Sequence, residues 1–204
     1  FALRDTAAIP FGQALEYAKD AQQLTGIRPA FLLAILKQES NLGENVGTCN
    51  RPGDALDWKE IMPGPTDNSW RDDQSAYLKI TDALGLDPDS MPLSCPWQNG
   101  WGGAMGPSQF IPTTWLQYAP RVGSLVGAAM PNPWNPRDAF MASALYLSDL
   151  GASAGGYTAE RRAALQYYAG SNWSLPQNQF YGDGVMAKAQ DIQTTMIDPI
   201  EAAQ

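Results

Sequence analysis

Apolar residues in this chain recur three and four positions apart, and no stretch alternates over the length of a strand, so a mostly helical protein is predicted. Ala14, Tyr17, Ala18, Ala21 and Leu24 mark a first helix over residues 12–25, ended by Gly26. A second follows across a very short turn, with Pro29 suited to its first turn and Gly43 placed to stop it after Leu42. The next apolar face is Trp70, Tyr77, Ile80 and Leu84, on a helix opened by a capping-box pattern, Ser69-Trp-Arg-Asp72. Pro112 begins another, with Thr114 and Gln117 able to form a capping box. Asn135-Pro136 caps a helix to about Leu150, carrying Phe140, Met141, Ala144, Leu145 and Leu147. Thr158 is expected to cap the one that runs through Tyr168 to Gly170. A last helix over roughly 180–196 turns Val185, Ala189, Ile192 and Met196 inward. The pattern thus predicts about seven helices in one domain spanning residues 1–204.

Two stretches break the period. Residues from Gly43 to Asn68, and from Gly85 to Ile111, are rich in Gly, Pro, Asn and Asp, and read as long ordered loops. Loops of that length inside a compact domain are usually functional or disordered, and directly after the second helix function is the better reading. Each carries one of the two cysteines, Cys49 and Cys95, which suits a single disulfide closing roughly 47 residues. Such a bridge stabilises by about 4 kcal/mol on a chain-entropy argument and implies an oxidising compartment.

Composition narrows the chemistry. Hydrophobic residues make up 44%, enough for a packed core. A net charge of −8 argues against a nucleic-acid partner. The chain has no histidine, which removes His-based triads, His metal sites and His proton shuttles. Asp87-Pro-Asp89 lacks the Gly and terminal Glu of an EF-hand loop, so neither metal nor cofactor is expected. No apolar run approaches the ~18 residues of a membrane span. The chain starts at Phe1 without a signal peptide and reads as a processed or trimmed form.

Within the second helix, Leu32, Ile35, Leu36 and Glu39 share one stripe. A carboxylate that ends an apolar face, close to the negative end of the helix dipole, has its pKa pushed upward. Such a glutamic acid is suited to protonate a leaving oxygen, although an ordinary solvated Glu near a helix end is an equal reading of this stretch alone. In the second loop, Gly102-Gly-Ala-Met-Gly-Pro-Ser-Gln-Phe110 combines glycines, which let backbone approach a ligand, with the neutral donor and acceptor of Gln109. Beside Trp97 and Trp101, that set suits an N-acetylated sugar, although a tight turn feeding the next helix is the simpler reading of the motif alone. Ala164-Leu-Gln-Tyr-Tyr-Ala-Gly170 ends a helix with two tyrosines that could face the same cleft or pack in the core.

In this order the three motifs resemble those of lytic transglycosylases of the lysozyme-like superfamily, which cut peptidoglycan. Glu39-Ser40 matches that family's Glu-Ser pair. Gly103-Ala-Met-Gly-Pro-Ser-Gln-Phe-Ile-Pro-Thr-Thr-Trp115 resembles the Gly-Ala-Met-Gly…Gln-Phe…Pro segment of the B-type members. Tyr167-Tyr-Ala-Gly170 resembles the Tyr-Asn-Ala-Gly of the soluble types. The likeness runs from about Gln13 to Gln193, and departs at Tyr168, where the family usually has Asn. It implies a lysozyme-like helical domain of the goose-type and lytic transglycosylase kind. Glu39 would be the single acid and base, and Tyr167 would hydrogen-bond near its carboxyl. Ser40, Met105, Gln109, Trp101 and Tyr167 would touch the substrate. The implied partner is the peptidoglycan glycan strand, met by a monomer in the periplasm or outside the cell. Two other readings stay open. One is a goose-type hydrolase, with Glu44, Asp54 or Asp57 activating water. The other is a glycan-binding module without activity.

Overall fold

In the computed structural model, residues 8–67, 69–98 and 100–204 are described. Residues 1–7, Asn68 and Asn99, which the predicted domain and loops include, lie outside them. Helix α1 (Phe11–Thr25) ends at Gly26 as expected, and α2 (Pro29–Ser40) follows directly. The periodicity of α2 predicts a single apolar stripe. In the structure, every side chain from Pro29 to Leu36 is buried. A helix apolar on all sides must be surrounded, and α2 is: it packs on α1, α6 (Pro136–Asp149) and above all α8 (Gln179–Ile192). Each of Leu32, Leu33, Ile35 and Leu36 is fully or almost fully buried, worth about 1.5–3 kcal/mol apiece. The helix stops two residues earlier than Gly43 suggests. Asn41 (φ 49°) and Leu42 (φ 56°) already take the left-handed conformation, before Gly43 (φ 90°) continues it. Glu39 is therefore the penultimate helical residue.

The first loop is not wholly irregular. Asp57 and Glu60 form a capping box around α3 (Trp58–Ile61), a turn too short to show a period. Buried Asn50 ties this loop to the second one: its Nδ2 donates to the carbonyls of Pro88 and Met91 (2.7 and 2.9 Å), and its Oδ1 accepts from Trp58 N (2.9 Å). Cys49 and Cys95 are bonded, with Cα atoms 5.3 Å apart. Isolated antiparallel bridges pair Cys49 with Leu93, Leu93 with Met105, and Met105 with Phe110. These are the sheet-like contacts among the described residues.

Two predicted helix starts move, and a third helix keeps its start but not its predicted cap. Helix α4 (Asp73–Leu84) is capped by Asp72 accepting from Ser75 N, which leaves Trp70 outside the helix and 83% exposed. Helix α5 (Pro112–Val126) begins at Pro112, too early for a Thr114–Gln117 box. Instead Asp73, buried at the start of α4, accepts from Thr113 N and Oγ1 (3.0 and 2.7 Å), so one helix caps the next. Helix α7 (Tyr157–Ala169) has Thr158 inside it and Gly156 before it, with no side-chain cap. The Asn135 cap of α6 stands as predicted. The last predicted helix is two pieces, α8 to Ile192 and a π turn over Gln193–Ile197, and α9 (Asp198–Ala202) follows beyond its predicted end. Ile197, not Met196, is the buried residue of that turn. No helix among the described residues is long and apolar enough to cross a membrane.

Candidate active site

The C-terminal end of α2 opens onto a cavity of about 700 Å³. Its walls come from the segment before α4 (Trp70, Arg71), the loop before α5 (Gln109), and the end of α7 with the turn after it (Tyr167 to Asn172). Glu39 lies at its floor, brought there because the run from Pro29 to Leu36 on the same helix is buried on all sides. Burial raises the Glu39 carboxyl from an ordinary 4.5 to about 7, against the opposing pull of a hydrogen bond from Tyr181. That bond runs from the Tyr181 hydroxyl to Glu39 Oε1. Tyr181 is itself 3% exposed, and its own pKa is raised well above the usual value by burial and by the Glu39 charge.

A second hydrogen-bonded set holds the Gln109 loop. The Tyr167 hydroxyl donates to the Ser108 carbonyl (2.8 Å) and lies 2.9 Å from Ser143 Oγ. Ser143 Oγ donates to Ser108 Oγ (2.7 Å), which donates to the Ala139 carbonyl (2.5 Å). α6 and α7 thus grip residue 108. Gln109, next along, has φ 53°, a strained backbone for a residue with a side chain. Its Nε2 donates to Gly106 O (2.9 Å) and points toward Val46 O (3.5 Å). At the opposite wall, Arg71 Nε donates to buried Asp73 Oδ2 (2.5 Å) while its guanidinium lies over the exposed Trp70 ring.

A profile of the Transglycosylase SLT domain family matches residues 10–202. The chain belongs to this family. Among solved structures it is similar to the soluble lytic transglycosylase SltB1 from Pseudomonas aeruginosa, with 26% identity and a TM-score of 0.52. That likeness covers 69% of this chain and 44% of SltB1, so the chain spans less than half of that relative. It is also similar to Escherichia coli lytic transglycosylase Slt35, solved with bulgecin A, at 16% identity and a TM-score of 0.52 over 88% of this chain and 72% of the other. At that identity the second likeness speaks for the fold alone. A search among curated proteins found no match.

Within this transglycosylase domain the predicted site residues separate into two groups. Glu39, Gln109 and Tyr167 line one cavity. Ser40 and Met105 do not reach it. Ser40 is 1% exposed: its hydroxyl donates to Pro107 O (2.7 Å) and accepts from Gly43 N (2.9 Å), fastening the helix end to the loop before α5. Met105 is fully buried, paired with Leu93 and Phe110. Both were expected at the substrate, and packing keeps both out of the cavity wall. The motif's glycines also serve the chain itself. A Cβ on Gly106 would lie 1.8 Å from Pro133 O, so the close approach is to backbone, not to a ligand. Trp97 and Trp101 are exposed but outside the cavity wall, where Trp70 stands instead.

Tyr167 does not bond Glu39, contrary to the expectation; its hydroxyl faces Ser108 and Ser143. Tyr181 makes that bond, and the sequence reading passed over it. The signal was present: Tyr181 precedes Val185, Ala189 and Ile192 on one stripe of α8, and a tyrosine on an inward stripe needs a partner for its hydroxyl. None of the carboxylates proposed to activate water is in the wall. Asp54 is held by Arg51 (2.9 and 3.2 Å), Asp57 caps α3, and Glu44 accepts from Asn41 Nδ2.

Proposed function

We propose that this domain is a lytic transglycosylase of peptidoglycan that cleaves the β-1,4 bond between N-acetylmuramic acid and N-acetylglucosamine, leaving a 1,6-anhydro end. The observation that carries the reading is Glu39. It is the one carboxylate among the described residues lining the cavity, and burial holds it near pH 7. A carboxyl titrating there can give up a proton and later take one back within a single turnover. Protonated Glu39 donates to the bridging oxygen as that bond breaks, through a transition state of oxocarbenium character. The substrate's own N-acetyl oxygen traps the positive centre, one of the known exceptions to paired carboxylates. Ionised Glu39 then takes the proton of the C6 hydroxyl, whose oxygen attacks the anomeric carbon and displaces the acetamido oxygen. No water enters the product. An internal nucleophile has a high effective concentration, which is why one carboxylate suffices.

Gln109, with Nε2 turned to backbone carbonyls, offers its Oε1 as acceptor to an N-acetyl N–H or a sugar hydroxyl. Trp70 takes the substrate-contacting place expected of Trp101, since its exposed ring borders the cavity. The disulfide suits an exported protein working in the periplasm or outside the cell.

The test is digestion of purified peptidoglycan by the protein and by Glu39→Gln, with released muropeptides weighed by mass spectrometry. Products lighter by one water, lost in the variant, support the reading. Products of full mass with reducing ends would mean hydrolysis. Binding without release would mean a glycan-binding module.

A further inference from the structure

Tyr168 occupies the position at which this chain leaves the motif it otherwise resembles, and its ring is not idle. It lies parallel to the Tyr181 ring, centroids 4.6 Å apart and planes 9° apart. Phe180 meets it edge-on at 5.6 Å. Tyr168 is 43% exposed and forms part of the cavity wall, whereas Tyr181 beneath it is buried. The stack depends on how closely α7 and α8 approach. Leu165 and Tyr168 share a face of α7, one turn apart. Gly182, beside Tyr181, sits so near Leu165 that a Cβ would lie 2.8 Å from its Cγ. The missing side chain at 182 lets α8 settle onto α7 and slides the Tyr181 ring under Tyr168.

The geometry points to Tyr168 as a positioning residue: its ring clamps Tyr181 so that the Tyr181 hydroxyl stays on the Glu39 carboxyl. This rests on the reading of Glu39 as the acid and base. A phenol has two soft torsions, and the stack removes the freedom of the ring plane. The other charged or titratable groups facing Glu39 are Tyr167 on α7, Tyr146 on α6 and Arg71 before α4. None of them hydrogen-bonds the carboxyl, so among the described residues its one bonded partner is the residue that Tyr168 covers. Because that bond favours the ionised carboxyl, loosening it makes Glu39 hold its proton to higher pH.

The experiment is the pH dependence of muropeptide release by Tyr168→Phe, Tyr168→Asn, Tyr168→Leu and Tyr181→Phe, with thermal melting recorded for each. A general acid loses activity as pH rises through its pKa, so the alkaline limb is the readout. Tyr168→Phe, which keeps the ring, leaves the limb at its wild-type position. Tyr168→Asn and Tyr168→Leu move it upward by about half to one pH unit, the size of one modest hydrogen bond. Tyr181→Phe moves it at least as far, and adding Tyr168→Asn to it moves the limb no further. A wild-type limb in both Tyr168→Asn and Tyr168→Leu overturns the proposal, even if melting temperature falls. So does an equal shift in Tyr168→Phe. If Glu39→Gln keeps releasing anhydro products, the reading of Glu39 falls instead, and the two failures are told apart.

Discussion

Replacing Glu39 by Gln should stabilise the fold, and only in a defined pH window. The folded protein holds this carboxyl at about 7 against an ordinary 4.5. Below pH 4.5 both folded and unfolded chains keep the proton, and the group contributes no difference. As pH rises from there to 7, the unfolded chain releases its proton first, so the folded state loses ground. Above 7 the loss is complete. A shift of this size corresponds to about 3 kcal/mol. Glutamine fills the same space, can still accept from Tyr181, and does not titrate. All other ionisations are common to both proteins and cancel in the difference. Urea unfolding at pH 4 and pH 8, with the disulfide intact, measures it. The stability of Glu39→Gln minus that of wild type should grow by about 3 kcal/mol between the two pH values. A difference that does not change with pH would refute the reasoning, because it would mean that the carboxyl ionises in the cavity as easily as in water. The same burial that costs stability keeps the acid protonated near neutrality, a familiar opposition at active sites.

Two further outcomes follow from the packing. Gly106→Ala, which drives a Cβ into Pro133 O at φ 62°, should cost about 3 kcal/mol or more. Gly127→Ala, with a similar φ and open space around it, should cost about 1 kcal/mol, and equal losses in urea unfolding would contradict the contact argument. Replacing both Cys49 and Cys95 by Ser should lower stability by about 4 kcal/mol, and reductant should destabilise the wild type but not the double variant in the same assay.

Much of the scaffold was legible in the chain itself. Most of the long helices among the described residues were legible from their apolar spacing and end signals, α2 being apolar on every side, and Gly26, Asn135 and the pair of cysteines sit where simple rules put them. The helix-end rules act over a few residues: a left-handed cap favours glycine, an N-cap a side-chain acceptor. Glu39 was legible for the same reason, as a carboxylate ending an apolar stripe. Elements without a period were not. Helix α3 is held by four residues, and α5 is capped by Asp73 from 40 positions away.

The partners of Glu39 lie beyond any local rule. Nothing in the spacing of Tyr167, Tyr168 and Tyr181 says which hydroxyl meets the carboxyl. That choice depends on how closely α7 and α8 approach at Gly182, and on Ser108 and Ser143 having already engaged Tyr167. Likewise, Ser40 and Met105 sit beside reactive-looking neighbours in sequence yet are buried. One residue's step along a helix turns its side chain by about 100°. Adjacent positions such as Glu39 and Ser40 therefore face different surroundings, and only the packing of distant segments decides which one meets the cavity.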